Sequence, residues 1–200
     1  ISACLVGSEM CIRDRTRLAI NSHQPTTGPV AWYEAHIQSE EGLNIMGGLF
    51  PSSPTIGVGF NENLAWGATV NKPDLVDIFA LTTNAKEPDK YLLDGRWRSF
   101  REKTIKLKVK LFGFLPWQVK RKALYTEHGP AIETPHGIYA IRYAGMGEVK
   151  QIEQWLAMNK ATNFEEWLAA LAQHTFASFN FVYSDKDGNI AFIHLSLIHI

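Results

Sequence analysis

Three places in this chain carry side chains suited to chemistry. Asn21-Ser22-His23-Gln24-Pro25 sets an amide, a hydroxyl, an imidazole and a second amide in consecutive positions. Asn180 stands in Ser178-Phe179-Asn180-Phe181-Val182-Tyr183. Phe179, Phe181 and Tyr183 share one face of a strand there, so Asn180 points to the other. A polar amide inside an aromatic strand needs a partner. It either caps a neighbouring backbone group or donates elsewhere. Asp74 and Asp77 place two carboxylates close together, a spacing that by itself reads as an exposed pair at a turn. His23 could be misread as a catalytic base but is expected to orient its loop; His23, His36 and His128 read equally as satisfied structural histidines, and no second His stands at metal-ligand spacing.

The elements that must hold these residues read mostly as short strands. Ala31, Tyr33, Ala35 and Ile37 alternate with Trp32, Glu34, His36 and Gln38, the period of a half-buried strand. The Gly-, Pro- and Ser-rich stretch 47–54 reads as turn and loop. Residues 55–60, 64–70 and 76–82 follow as strands, with a tight turn at Asn61-Glu62-Asn63. Ile105, Leu107, Val109 and Leu111 alternate with Thr104, Lys106, Lys108 and Lys110. A second strand over 117–125 makes this a hairpin whose lysine row is a solvated sheet face. Two helices follow. The first spans 148–160 with Ile152, Trp155, Leu156 and Asn159 at helical spacing. The second opens on the capping-box pattern Thr162-Asn163-Phe164-Glu165, with Phe164, Trp167, Leu168 and Leu171 as its core stripe. A hairpin around Asp187-Gly188 ends the pattern. Strands, then helices, then strands predict an α+β assembly of packed sheets with helices outside.

Length and composition narrow the class. Two hundred residues suffice for one domain with a core. Twenty Lys+Arg balance 20 Asp+Glu, so no net field favours nucleic acid or an anionic membrane. No apolar run reaches a membrane span, and no secretory signal is legible. The two cysteines, Cys4 and Cys11, lie together near the start and suggest neither a disulfide framework nor a metal set.

Asn21 to Pro25 and Leu64-Ala65-Trp66-Gly67-Ala68-Thr69-Val70-Asn71-Lys72-Pro73-Asp74-Leu75-Val76-Asp77, with Gly47-Gly48, Pro51 and Gly59-Phe60-Asn61 between, resemble the start of the β-subunit of the penicillin acylase family. That family includes the acyl-homoserine lactone acylases, and its members are N-terminal nucleophile amidohydrolases. The resemblance implies an αββα sandwich with antiparallel sheets, of which this chain holds part. It implies an α-subunit from the same precursor as partner, a small-molecule acyl-amide substrate, and a periplasmic or secreted location.

It also implies site residues. The family nucleophile is the hydroxyl of the β-subunit's first residue, a Ser freed by chain cleavage, with its own α-amine as base. Ser2 stands at the matching distance, roughly twenty residues before Asn21, but is followed by Ala3 rather than the family's Asn. The nucleophile is therefore expected just upstream of this chain. The oxyanion donors fall on the backbone N–H of Val70, after Trp66-Gly67-Ala68-Thr69, and on the Asn180 amide. Gln24 matches a family Gln or His near the nucleophile. Residues near Pro25 and Val58 are expected in the pocket walls. Asp74, the Val76 carbonyl and Asp77 match a segment that binds calcium.

The resemblance runs from about Thr16 to His194. Cys4 to Arg15 resembles translated sequencing adapter, and Leu195 to Ile200 has the same look. We therefore expect a partial acylase β-subunit domain over 16–194, with non-native segments at 1–15 and 195–200, and a chain that is inactive by itself. The competing reading is a non-catalytic β-rich ligand-binding module.

Overall fold

The computed structural model describes residues 16–196. Its elements, in chain order, are β1 (Tyr33–Ser39), β2 (Leu43–Leu49), β3 (Val58–Phe60), β4 (Leu64–Thr69), β5 (Val76–Leu81), β6 (Lys90–Leu93), β7 (Arg96–Ser99), β8 (Arg101–Leu111), β9 (Leu115–Tyr125), β10 (Pro130–Thr134), β11 (Gly137–Tyr143), α1 (Gln151–Lys160), α2 (Phe164–Leu171), β12 (Ser178–Asp185) and β13 (Ile190–Ser196). They fall into two compact units, one built from residues up to Asp74 and from Gly147 onward, the other from Leu75 to Met146.

The first unit is a six-stranded antiparallel sheet in the order β1-β2-β3-β4-β12-β13, packed against α1 and α2. Its centre is the β4–β12 pair, in which Trp66 faces Tyr183 and Ala68 faces Phe181. Trp66, Phe181 and Tyr183 are completely buried, together with Met158 of α1 and Trp167 of α2. Trp167 meets Phe181 edge-on and Tyr183 at a tilt, the arrangements aromatic rings favour.

Several sequence expectations shift here. Gly47 and Gly48 lie inside β2 rather than in a loop. Their lack of a side chain serves close packing, since a Cβ on Gly47 would stand 2.1 Å from the Val58 carbonyl oxygen. The strand expected over 55–60 shortens to β3, because Thr55 and Ile56 turn inward, and both are buried. In α1 the buried residues are Gln154, Met158 and Asn159, whereas Ile152 and Leu156 are exposed. The polar members are inward because both are satisfied. Gln154 Nε2 donates to Leu171 O at 3.2 Å, and Gln154 Oε1 accepts Thr175 N at 2.8 Å. The cap of α2 is Asn163, one residue beyond the expected Thr162. Asn163 Oδ1 accepts Glu166 N at 2.9 Å while Glu166 Oε2 accepts Thr162 N at 2.8 Å.

The second unit is a five-stranded antiparallel sheet, β5-β11-β10-β9-β8, with β6 and β7 as a separate hairpin. Composition alone missed β6, β7, β10 and β11. The β8–β9 hairpin is in register from Arg101↔Tyr125 to Leu111↔Leu115. Every residue of β8 is exposed, so its apolar row is as open as its lysine row. Among the described residues no helix is long and apolar enough to cross a membrane.

Candidate functional site

The chain enters the first unit by crossing β4. Ile20 lies on Gly67 so closely that a Cβ there would stand 1.2 Å from Ile20 Cδ1. Ser22 Oγ then donates to Ala68 O, and Ser22 O accepts Trp32 Nε1 at 3.0 Å. These contacts fix Asn21 to Gln24 beside the end of β4. Trp32 stacks on Phe50 with centroids 4.6 Å apart and planes 9° from parallel. Its indole rests against Gly48, where a Cβ would come within 3.0 Å of the ring. The loop below is pinned from α1, because Asn159 Oδ1 accepts Ile56 N and Asn159 Nδ2 donates to Ile56 O, both at 2.9 Å.

Between these elements lies a cavity of about 300 Å³. Trp32, Phe50, Val58, Trp155 and Phe179 form its apolar walls. Asn21, Ser22, His23, Gln24, Thr69 and Val70 run along it, and Ser53, Thr55, Gly57 and Ala68 complete it. His23 is the one titratable side chain among these lining residues. An apolar cleft with a few convergent polar groups suits a small molecule held by hydrophobic contact and oriented by hydrogen bonds.

The structure brings some of the expected site residues together and leaves others apart. Gln24, Val58 and Val70 all line the cavity, whereas Pro25 is exposed and is not among its lining residues. Val70 is the first residue past the β4–β12 ladder, which ends with Thr69 opposite Asn180. Asn180 is thus the strand neighbour of the residue before Val70, with its side chain on the face away from the buried Phe181. Its Oδ1 lies 2.7 Å from His194 Nδ1 on β13. Asn180 does not line the cavity itself.

Asp185 secures the far end of β12. Burial by itself would raise its pKa. Hydrogen bonds from the Asn189 side chain and backbone, the Tyr183 hydroxyl and the Asp187 backbone outweigh burial and hold it below the usual aspartate value. Tyr183 is pushed the other way, well above an ordinary tyrosine, by burial and then by that carboxylate.

Of the other histidines, His36 Nε2 pairs with Asn44 Oδ1 at 2.7 Å, and His128 stacks on Phe79 at 4.0 Å. Both have structural partners. Asp74 closes the first unit, and Val76 and Asp77 open β5 in the second; all three are exposed. Asp77 stands opposite Arg142 in the β5–β11 register. Among the described residues no group of three or more His, Cys, Asp or Glu could hold a metal. Ser2, Cys4 and Cys11 lie outside the described residues.

Sequence reasoning missed the cavity's aromatic walls. Trp155 reads as core in a helical stripe, and Trp32 and Phe50 carry no motif. The available signal was the aromatic fraction of 12%.

Residues 3–200 match the Penicillin amidase family. The chain is 29% identical to acyl-homoserine lactone acylase PvdQ of Pseudomonas fluorescens (strain Pf0-1) over 98% of its own length and 26% of that protein's. It is 32% identical to penicillin G acylase of Escherichia coli over 76% of its own length and 18% of that protein's. The solved structure of a thermostable penicillin G acylase from Alcaligenes faecalis superposes with a TM-score of 0.71 at 28% identity, over 82% of this chain and 30% of that one. The chain belongs to the penicillin amidase family, with part of the α+β fold of the N-terminal nucleophile hydrolases. It spans about a quarter of the length of the acyl-homoserine lactone acylase it matches.

Proposed function

We propose that this segment is part of the catalytic β-subunit of an acylase. The enzyme hydrolyses a linear acyl-amide, such as an N-acyl-homoserine lactone or a penicillin side chain, through an acyl-enzyme. The observation that carries this reading is the aromatic cavity, lined by no Asp, Glu, Lys or Arg, with Gln24 and Val70 along its edge. It suits an apolar acyl group whose carbonyl lies near the Val70 N–H. The hydroxyl of an N-terminal Ser attacks that carbonyl while the free α-amine takes its proton. Val70 N–H and Asn180 Nδ2 donate to the oxyanion that forms. The C–N bond then breaks as the ammonium returns a proton to the leaving nitrogen. Water repeats the sequence to free the acid. The α-subunit of the same precursor completes the site, in a periplasmic or secreted enzyme.

Asp74, the Val76 carbonyl and Asp77 are the residues that would hold calcium. They are hard oxygen donors, though fewer than the six to eight that calcium takes, so other donors must complete the set. The ion would neutralise carboxylates and fix the chain after β4, a structural role.

The test is Asn180→Ala in the full-length enzyme. Loss of one oxyanion donor lowers kcat by roughly 10²–10³-fold with KM little changed. A correctly processed variant with wild-type kcat would remove Asn180 from the mechanism.

A further inference from the structure

We infer that His194 is a positioning residue that sets which end of the Asn180 amide faces the reacting carbonyl; this rests on the oxyanion role proposed for Asn180. The two residues are direct partners in the β12–β13 register, so their side chains emerge on one face of the sheet. His194 Nδ1 lies 2.7 Å from Asn180 Oδ1. An amide oxygen only accepts, so Nδ1 must carry the hydrogen of this bond. Among the described residues Asn180 Nδ2 has no hydrogen-bond partner.

The consequence follows from amide geometry. The terminal torsion of Asn is soft and roughly two-fold, so an unheld carboxamide presents its oxygen or its nitrogen at little cost. The two orientations have opposite chemistry. With Nδ2 forward, two N–H donors meet an oxyanion. With Oδ1 forward, lone pairs oppose the developing charge. A donor fixed on Oδ1 selects the first orientation before substrate arrives. Preorganisation of this kind is what makes oxyanion donors effective. His194 is exposed and lies outside the aromatic cavity, so it contributes no acyl contact. It therefore acts on kcat through Asn180 and leaves acyl binding alone.

The experiment is a double-mutant cycle in the full-length processed enzyme. His194→Phe keeps a ring of similar shape without the donor. One neutral hydrogen bond sets the scale, so kcat should fall about 5- to 10-fold with KM within about two-fold. His194→Gln, whose amide can donate, should recover part of the loss. In the Asn180→Ala background, His194→Phe should cost nothing further. If His194→Phe does not fold or process, His194→Gln against His194→Leu makes the same comparison. Wild-type kcat in the donorless variant, or a loss that adds to Asn180→Ala, would overturn the role of His194 while leaving the oxyanion assignment standing. A silent Asn180→Ala would sink both.

Discussion

Gly67→Ala probes how the segment bearing Asn21 to Gln24 is held. The added Cβ would stand 1.2 Å from Ile20 Cδ1, 2.5 Å from Cγ1 and 2.9 Å from Cβ. Carbon atoms need about 3.5 Å, so rotating the Ile20 side chain cannot clear all three. The segment must lift from β4 by roughly 2 Å. Such a shift also strains the bonds from Ser22 to Ala68 and from Trp32 to Ser22. Overpacking of this kind costs about 1–3 kcal/mol. A cost in that range lowers Tm by about 2–4 °C per kcal/mol in a unit of ~150–250 residues. Ile20→Ala leaves only the 2.9 Å contact, which a small shift relieves. Gly67→Ala should therefore be less damaging in the Ile20→Ala background than alone, by about 1 kcal/mol or more. Thermal unfolding of the full-length enzyme and its two single and one double variants measures the coupling, and kcat/KM reports the displaced loop. Strict additivity, or a Gly67→Ala enzyme as stable as the parent, would refute the packing argument.

Further outcomes follow from other contacts. Asn159→Ala strands two backbone groups of Ile56 beneath the cavity; unfolding should show a loss of about 2–6 kcal/mol, at one desolvation penalty of ~1–3 kcal/mol per group. Asp185 has a depressed folded pKa, so its contribution is fully present above the unfolded value near ~3.9 and fades as pH falls through the lower folded value. Denaturant titrations below about pH 4 should thus show a steeper acid loss for the parent than for Asp185→Asn. Chelation should lower Tm, with calcium restoring it in the parent but not in Asp77→Ala; a Tm indifferent to chelator would make the pair ordinary turn carboxylates.

Sequence showed the centre of the first unit more clearly than its edges. The β12–β13 hairpin is legible because Asp187-Gly188 sits between two alternating strands, and the face assigned to Asn180 follows from the same alternation. β2 was hidden because Gly47 and Gly48 look like loop residues. What makes them strand residues is the close approach of Val58 and Trp32, a tertiary fact. The α1 phase failed at Gln154, a buried polar group that the expected stripe left out and whose partners, Leu171 and Thr175, lie in later segments. Among the site residues, Gln24 and Val70 were legible through ordered motifs. Trp32, Phe50 and Trp155 were not, since an aromatic wall carries no local pattern and becomes a pocket only when strands and helix meet.

The most direct test of the acylase reading is covalent. The full-length processed enzyme is mixed with an activated acyl ester whose leaving group is coloured, quenched early, and its β-subunit digested for mass spectrometry. The mechanism predicts a burst of leaving group that approaches one equivalent per site when deacylation is slow, and an acyl mass on the N-terminal Ser of the subunit that contains this segment. Amide hydrolysis without any adduct on that Ser, or no turnover of acyl-amides at all, would contradict it.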